Sequence, residues 1–226
     1  MHIAIAGNIG SGKTTLTQLL AKHYNWLPQF EDADTNPYLT SFYEDMQRWS
    51  FNLQVFFLNT RFKHIIDIRN QKKSVVQDRT IYEDAYIFAP NLLEMGLMSS
   101  RDFNNYFSLF EMIDSFIQAP DLLIYLKADI STLVAQIQKR GRPYEDLIRL
   151  DYLKNLNERY NKWAESYNKG KILVINVDEI KFSENKDDLG YIINCVDAEL
   201  FGLFTDQEEN REETGKKGKT GKKRVQ

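Results

Sequence analysis

A glycine-rich loop near the N-terminus has the residue types and the spacing of a phosphate-binding site. Its sequence, GNIGSGKT, matches the pattern GxxxxGK[ST] and lies between a predicted strand at residues 3–6 and a predicted helix. Glycines let such a loop turn its N–H groups toward phosphate oxygens, and the following helix adds positive potential. We expect Lys13 to reach the β- and γ-phosphates and Thr14 to hold Mg²⁺. The predicted nucleotide-binding residues are Gly7, Asn8, Ile9, Gly10, Ser11, Gly12, Lys13, Thr14 and Thr15.

Further charged residues follow predicted strands and helices, where transfer of a phosphoryl group to a small acceptor would use them. Such a reaction needs a carboxylate near the acceptor hydroxyl, arginines around the phosphoryl group and a mobile basic lid. Glu31 ends the second predicted strand, Asp78 and Arg79 end the third, and Arg140 and Arg142 follow a predicted helix. A strand-end carboxylate can also cap a loop, and arginines at a helix C-terminus also complement its dipole. The base-recognition motif NKxD of GTPases is absent.

Strands and helices alternate along the chain. Short apolar segments at residues 3–6, 27–30, 74–77, 122–126 and 172–176 predict strands, and the intervening segments have helical periodicity. This alternation predicts an α/β fold with a five-stranded parallel sheet and helices on both faces. Two long helices are predicted, at residues 48–70 and 100–117. Nucleotide and acceptor sites of such folds lie at the carboxyl ends of the strands, where the residues above are placed.

Composition narrows the class of protein. The 226 residues are 42% apolar and 27% charged, enough for one domain and too polar for a membrane protein. Cys195 is alone, and His2, His23 and His64 lack ligand spacing, so neither a disulfide framework nor a zinc site is expected. We predict a cytoplasmic protein, because the N-terminus lacks the basic lead of a signal peptide.

The C-terminal segment differs from the rest of the chain. Residues 205–226 hold 7 Lys/Arg and 5 Asp/Glu with one apolar residue, Val225, so we predict a disordered charged tail after a domain at 1–204. A basic arm that contacts nucleic acid is the alternative. The body then carries 22 basic and 27 acidic residues, a net −5. No basic face for nucleic acid is expected there.

The order of motifs resembles the deoxynucleoside kinase family. The resemblance covers about residues 1–200 and rests on GNIGSGKTT, Glu31, FYEDMQRWSFNLQVFFLNTR, DRTIYEDAYIFAPNL and KRGRPYEDLIRLDYLKNL. It implies a P-loop kinase fold with a helical lid at about residues 136–146. It also implies ATP and Mg²⁺ as cofactors, a deoxynucleoside acceptor phosphorylated at the 5′-hydroxyl, and a homodimer. The aromatic residues of the predicted helix at 100–117 favour a dimer as well.

The resemblance also implies a role for individual residues. Glu31 is the expected base, Arg79 bridges the 5′-oxygen and the phosphoryl group, and Asp78 lies on the Mg²⁺ side. Asp78 replaces a more usual glutamate, which suggests a water-mediated metal contact. The other implied catalytic residues are Lys13, Arg140 and Arg142. The implied substrate-binding residues are Glu31, Tyr43, Trp49, Gln54, Arg61, Arg79, Asp84, Phe88 and Glu145.

Helix geometry adds two constraints on the acceptor site. Gln54 and Arg61 are seven residues apart, so they lie on one helix stripe about 10 Å apart. Tyr43, implied to bind the 3′-hydroxyl with Glu145, is eleven residues before Gln54, about 16 Å along an unbroken helix. A break near residues 44–47 is therefore predicted. Trp49 and Phe88 are candidate walls for the base, and they could equally be core aromatics.

Three functions fit these observations. A deoxynucleoside kinase is the leading hypothesis, with deoxyadenosine as the best acceptor, because TNPYLTSFYED resembles bacterial deoxyadenosine kinases. The second is a nucleoside monophosphate kinase, which would need extra cations for the acceptor phosphate. The third is a nucleotide-dependent binding factor that does not phosphorylate an acceptor.

Overall fold

The apolar segments of the sequence form one parallel sheet. The computed structural model describes residues 1–31 and 36–202. The strands are β1 (His2–Gly7), β2 (Leu27–Gln29), β3 (Val75–Asp78), β4 (Leu122–Lys127) and β5 (Lys171–Asn176). All neighbours are parallel, in the order β2-β3-β1-β4-β5. The predicted five-stranded α/β sheet is confirmed.

Helices connect the strands over both faces of the sheet. They are α1 (Lys13–Tyr24), α2 (Leu39–Glu44), α3 (Met46–Asn70), α4 (Ile81–Glu83), α5 (Ala89–Glu94), α6 (Ser100–Asp114), α7 (Ile130–Arg140), α8 (Leu150–Ser166) and α9 (Lys186–Phe201). A π-helical turn at Asp84–Phe88 joins α4 to α5, and a 3₁₀ turn at Pro143–Leu147 precedes α8. The two predicted long helices are α3 and α6, and α6 ends three residues earlier than expected.

The break before α3 is present. Asp45 leaves the helical region (φ −142°, ψ 83°) and its side chain accepts the backbone N–H of Arg48 at 3.0 Å. This N-cap starts α3 in a new direction after α2 has ended. The predicted break near residues 44–47 is confirmed, and Tyr43 on α2 can face the same space as α3.

Alternation along the central strands divides the core between the two faces. Ile3 and Ile5 of β1 pack in one cluster with Leu16 of α1, whereas Ala4 and Ala6 point to the opposite face and meet Trp163 of α8. The small alanines leave room for the aromatic residues of α8. The sheet is therefore buried on both sides, as expected for short apolar parallel strands.

Two aromatic residues of α6, the helix whose aromatics favour a dimer in the sequence, are buried within the chain itself. Tyr106 and Phe110 are fully buried against α3 and the π turn. The exposed apolar residues are Leu109 (39%), Met112 (57%) and, just beyond α6, Phe116 (66%). Any interface formed by this helix thus uses the latter face.

Some predictions concern residues that the structure does not describe. The tail prediction for 205–226 lies outside the described residues. Within 1–31 and 36–202, no helix has the length and apolar character needed to cross a membrane. In the same ranges no group of three or more His, Cys, Asp and Glu residues could hold a metal ion by itself.

Candidate active site

The strand order brings the chemistry-bearing residues to one edge of the sheet. The phosphate loop leaves β1, Glu31 follows β2, and Arg79 follows β3, and these three strands are neighbours. Ile5 of β1 pairs in register with Asp78 of β3, and the Arg79 N–H donates to the Ile5 carbonyl at 2.9 Å. Residues far apart in sequence thus meet because parallel strands end at the same edge.

Glycines are required in the phosphate loop for space and for backbone conformation. Gly10 and Gly12 have φ of +87° and +92°. A Cβ at Gly10 would lie 2.7 Å from the Leu133 carbonyl oxygen, and one at Gly12 would lie 2.9 Å from Cζ of Phe182. The loop therefore rests closely on α7 and on the segment after β5. It leads directly into α1 at Lys13, as the motif predicts.

Lys13 lies inside the loop. Its side chain is buried, and Nζ donates to the Asn8 carbonyl at 3.0 Å. Burial and the nearby Arg79 lower the pKa of Lys13 to about 7. A phosphate group here would offset both effects by supplying negative charge.

Thr14 and Asp78 form a pair beside the phosphate loop. The Thr14 hydroxyl donates to Asp78 Oδ2 at 2.5 Å. Asp78 Oδ1 is buried and has no hydrogen-bond partner among the described residues. Burial raises the pKa of Asp78, and the Lys13 charge opposes that rise. A hydroxyl beside a carboxylate oxygen without a partner fits the oxygen donors that Mg²⁺ prefers.

Two arginines hold the Glu31 carboxylate. Arg61 Nη2 donates to Oε1 at 2.7 Å, and Arg79 Nε donates to Oε2 at 3.1 Å. Burial alone would raise the pKa of Glu31, but the Arg79, Arg61 and Lys13 charges outweigh it and hold the pKa well below its usual range. Glu31 is therefore an anion across the physiological range.

Gln54, Arg61 and Asp84 form the far end of the same space. Gln54 and Arg61 are each only 1% exposed on α3, so they are not ordinary surface residues. Asp84, on the π turn, accepts the Arg61 Nε–H in a buried ion pair. Gln54 Oε1 is buried without a partner among the described residues.

Arg140, Tyr144 and Glu145 come from the segment predicted to form the lid, and Tyr43 of α2 lies beside them. The rings of Tyr43 and Tyr144 stack with centroids 6.1 Å apart and planes 6° apart. Glu145 is buried, and both of its oxygens accept from Arg140, with Nε to Oε2 at 3.1 Å. A lid arginine thus binds the carboxylate that was expected to take the 3′-hydroxyl.

These groups surround one cavity with an empty volume of about 810 Å³, including the open solvent at its mouth. Charged and apolar side chains line it together, as in sites for small molecules. The predicted site residues that line it are Ile9, Gly10, Lys13, Thr14, Glu31, Tyr43, Gln54, Arg61, Arg79, Asp84, Phe88, Arg140, Arg142 and Glu145. Gly7, Asn8 and Asp78 do not line it.

Trp49 is placed differently from the other predicted substrate residues. It is not among the residues that line the cavity. Its ring lies 5.8 Å from that of Tyr38, and the guanidinium carbon of Arg48 lies 4.4 Å from its ring centroid. The apolar wall is formed instead by Phe57, Leu53 and Phe88, and Arg61 lies over the Phe57 ring at 5.0 Å.

Several lining residues were not predicted from the sequence. They are Leu39, Phe42, Leu53, Phe57, Tyr144 and Tyr152. One signal was available for Phe57, because it lies three residues after Gln54 and four before Arg61, on the same stripe of α3. The others come from elements whose approach only the fold determines.

A second cavity opens on the other side of the phosphate loop. It is lined by Gly10, Ser11, Gly12 and Thr15, by the N-terminal and C-terminal parts of α7, and by residues 177–178 and 180–184 after β5. Lys139 and Glu184 form an ion pair across it at 2.6 Å. A loop with one cavity on each side can take a phosphate donor from one and an acceptor from the other.

Fold and site together define the class. A phosphate loop on a parallel sheet, with a carboxylate and arginines facing a cavity beside it, is the arrangement of a P-loop kinase of small molecules. The deoxynucleoside kinase family profile matches residues 3–201. The chain belongs to the deoxynucleoside kinase family, and it is an ATP-dependent phosphotransferase.

Individual relatives agree with this assignment. The chain is 37% identical over 196 residues to a deoxyadenosine/deoxycytidine kinase of Bacillus subtilis (strain 168), covering 86% of this chain and 90% of that protein. It is 40% identical over 186 residues to a deoxyadenosine kinase of Dictyostelium discoideum, covering 82% and 74%. The structure of a deoxyadenosine kinase from M. mycoides with bound dATP superimposes with a TM-score of 0.76 at 26% identity, covering 87% and 99%.

Proposed function

We propose that this kinase transfers the γ-phosphoryl group of ATP to the 5′-hydroxyl of a deoxynucleoside, with deoxyadenosine as its best acceptor. One observation carries the proposal. The Glu31 carboxylate lies in a single cavity between Lys13 of the phosphate loop and the Arg61–Asp84 pair. A nucleoside lying in this cavity with its base at Asp84 places its 5′-oxygen at Glu31 and faces the phosphates.

The reaction forms a bond between the 5′-oxygen and the γ-phosphorus and breaks the bond from that phosphorus to the bridging oxygen of ADP. The hydroxyl proton passes to Glu31. A carboxylate of low pKa is a weak base for an alcohol, so the proton moves late, after the hydroxyl has been oriented. Arg79, Lys13, Arg140 and Arg142 stabilise the charge on the transferring group.

Mg²⁺ would be held by Thr14 and Asp78, where Asp78 Oδ1 has no other partner among the described residues. When bound, the ion supplies positive charge to the phosphates. The protein residues then orient the donor through the loop N–H groups and through Lys13.

Tyr43 and Glu145 are proposed to bind the sugar. The hydroxyl of Tyr43 and the carboxylate of Glu145 can both hydrogen-bond a 3′-hydroxyl. A sugar that lies against the ring of Tyr43, which stacks on Tyr144, would have little room for a 2′-hydroxyl, and this favours deoxyribose. Because Arg140 binds Glu145 in this structure, acceptor binding at Glu145 would release part of Arg140 for the phosphates.

Base preference follows from the polar end of the cavity. The amide of Gln54 can both donate a hydrogen bond to a base edge and accept one from it. Its buried Oε1, which has no partner among the described residues, could accept from an exocyclic amino group of the base. Thymine presents its O4 and methyl group where Arg61 and Asp84 place a buried ion pair. The relatives include deoxyadenosine, deoxyguanosine and deoxycytidine kinases, and these names support purines and deoxycytidine as acceptors without ranking them. We therefore expect deoxyguanosine or deoxycytidine second and thymidine poor.

An acceptor panel tests this proposal. ATP and Mg²⁺ are offered with each deoxynucleoside, with deoxynucleoside monophosphates and with no acceptor, and kcat/KM is measured at saturating ATP. Deoxyadenosine should give the highest value. Equal efficiency with thymidine would refute the base preference, and phosphorylation of monophosphates alone would refute the acceptor class.

A double variant, Arg61→Leu with Asp84→Ala, should raise the efficiency with thymidine relative to deoxyadenosine. Arg61 also binds Glu31, so turnover with every acceptor should fall, and the ratio of the two efficiencies is the informative quantity. The matched control removes the Lys169–Asp114 ion pair, which lies outside the cavity, and should leave the ratio unchanged.

We also propose a homodimer formed through α3 and α6. These helices pack against each other, and exposed apolar residues lie on both, with Ile66 on α3 and Leu109 and Met112 on α6. Leu109 and Met112 are three residues apart and share a face. Adjacent exposed apolar residues on paired helices are typical of a self-association surface. A cytoplasmic location stays a prediction.

A further inference from the structure

We infer that Tyr160 and Glu83 are positioning residues, which hold the Arg79 guanidinium and the phosphate loop in one fixed relation. This inference rests on the proposed role of Arg79 at the transferring phosphoryl group. Neither residue lines the acceptor cavity, and both are fully buried behind it.

Arg79 needs such support because its own backbone does not determine where its side chain ends. Its φ is +66°, a left-handed conformation that is uncommon for a residue with a Cβ. The guanidinium lies between Glu31, the hydroxyl of Tyr160 and the ring of Phe88, whose centroid is 4.7 Å from Cζ.

The hydroxyl of Tyr160 has one proton, and its two contacts fix how that proton is used. Arg79 Nη1 donates to the hydroxyl oxygen at 3.2 Å, and the hydroxyl donates to Glu83 Oε1 at 2.8 Å. Burial, together with the Glu83 charge and against the Arg79 charge, raises the pKa of Tyr160 well above its usual value. The direction of the chain, from Arg79 through Tyr160 to Glu83, is therefore constant over the working pH range.

Glu83 joins this chain to the phosphate loop. Besides Tyr160, its Oε1 accepts the Gly7 N–H at 3.3 Å, and its Oε2 accepts the Thr80 N–H at 2.7 Å. Gly7 begins the phosphate loop, and Thr80 follows Arg79 directly. A buried carboxylate is costly unless its lone pairs are satisfied, and here donors from two strand ends and from α8 satisfy them.

The arrangement provides positioning without contact with substrate. Glu31 and Tyr160 hold the guanidinium at two separate nitrogens, Nε and Nη1, so its plane cannot rotate freely. Without Tyr160, the contact with Glu31 is the one polar contact that the described residues would still provide to orient it, together with the Phe88 ring. Because the transition state is stabilised by fixed charges, a misdirected guanidinium lowers kcat more than it weakens substrate binding.

The test is Tyr160→Phe, which keeps the ring and removes only the hydroxyl. We expect kcat to fall about 10- to 100-fold, as loss of one hydrogen bond to a charged group implies, with KM for deoxyadenosine and ATP changed less than about threefold. Tyr125→Phe is the matched control. Tyr125 is buried and stacks on Tyr160 at 6.0 Å, but its hydroxyl donates to Asn161, and its loss should leave kcat within about twofold of wild type.

A double-mutant cycle separates positioning from a general structural effect. In an Arg79→Lys background, whose ammonium lacks the two-point fork, Tyr160→Phe should change kcat less than about twofold. Glu83→Gln should also lower kcat. In the double variant with Tyr160→Phe, the loss of kcat should be smaller than the two single losses combined. It also provides a measurement if Tyr160→Phe folds poorly.

Three outcomes would overturn the inference. They are an unchanged kcat in Tyr160→Phe, an equal loss in the wild-type and Arg79→Lys backgrounds, and a comparable loss in Tyr125→Phe. The underlying role of Arg79 is tested separately, because a normal kcat in Arg79→Lys and Arg79→Ala would refute that role. An impaired Arg79→Lys with a normal Tyr160→Phe would refute only the positioning chain.

Discussion

Replacement of Glu31 by glutamine tests the proposed base with the least change in shape. The carboxylate accepts from Arg61 at 2.7 Å and from Arg79 at 3.1 Å, one arginine on each oxygen. An amide has one oxygen and one NH₂ group, and the NH₂ group would face a guanidinium N–H. One of the two arginine contacts is therefore lost in Glu31→Gln, and the negative charge is lost with it.

The size of the effect follows from two contributions. Loss of a general base costs about 10²- to 10⁴-fold in rate, or about 3–5 kcal/mol in activation free energy. Loss of one hydrogen bond to a charged group adds about 1.5–3 kcal/mol, part of which the free enzyme also experiences. We expect kcat to fall at least about 100-fold, with the dissociation constant for deoxyadenosine changed less than about tenfold.

The assay combines steady-state kinetics with calorimetric titration of deoxyadenosine, so that turnover and binding are measured separately. Glu165→Gln, at an exposed position on α8, is the control and should match wild type in both. A Glu31→Gln variant with kcat within about threefold of wild type would refute the reasoning and move the base role to another carboxylate, for which Asp78 is the candidate.

The pH profile gives an independent check. The arginines lower the pKa of Glu31 below the ordinary value for a glutamate, so the carboxylate stays ionised until the pH falls below that depressed value. The acid limb caused by Glu31 should therefore be absent from kcat/KM between about pH 5 and pH 8. An acid limb in that range that disappears in Glu31→Asp would contradict the structure.

Three further predictions concern stability and assembly. Burial lowers the pKa of His2 below its usual 6.5, so the unfolded chain binds the proton more readily than the folded one, and the free energy of unfolding should fall as the pH drops below about 6.5. Chemical denaturation at pH 7 and pH 5 should show a smaller loss for His2→Asn than for wild type. The control His23→Gln, at an exposed position, should behave as wild type. Gly10→Ala should lower the unfolding free energy by at least about 1 kcal/mol and abolish turnover, because the methyl group meets the Leu133 carbonyl. Gly190→Ala in α9, where no atom lies within 4 Å of the added carbon, should instead raise that free energy by about 0.5–1 kcal/mol. Thermal and denaturant unfolding that rank these variants in the opposite order would contradict the description of the loop. Met112→Glu with Phe116→Glu should convert a dimer into a monomer in sedimentation at micromolar concentration, while Tyr191→Glu on α9 should not; a wild-type monomer at that concentration would refute the proposed interface.

The phosphate loop shows what a contiguous stretch of sequence can predict. Its glycines, Lys13 and Thr14 are contiguous, and the strand before it and the helix after it are encoded in the same stretch, so position and context follow from one segment. The five strands were predicted for a similar reason, because buried parallel strands are short apolar segments between polar turns. The strand order, by contrast, depends on which segments pair over long distances.

The acceptor site shows where sequence reasoning stops. Gln54 and Arg61 could be placed on one stripe of α3 from their spacing, and the break before α3 followed from the distance to Tyr43. Trp49 lies four residues after the Asp45 cap and was a reasonable wall for the base, but it packs against Tyr38 instead. Its neighbours are set by the angle at which α3 leaves α2, and that angle is not encoded in helical periodicity.

The sequence by itself determined the chemistry that the molecule carries: a triphosphate loop, a strand-end carboxylate, paired arginines and a lid, in an order that resembles one family. Only the tertiary structure decided which charges meet. It placed both Arg61 and Arg79 on Glu31, Arg140 on Glu145, and the buried pair Tyr160 and Glu83 behind Arg79. The reason is physical, because the pKa of a buried group and the direction of a guanidinium depend on neighbours from distant segments, which come together only when the sheet and its helices pack.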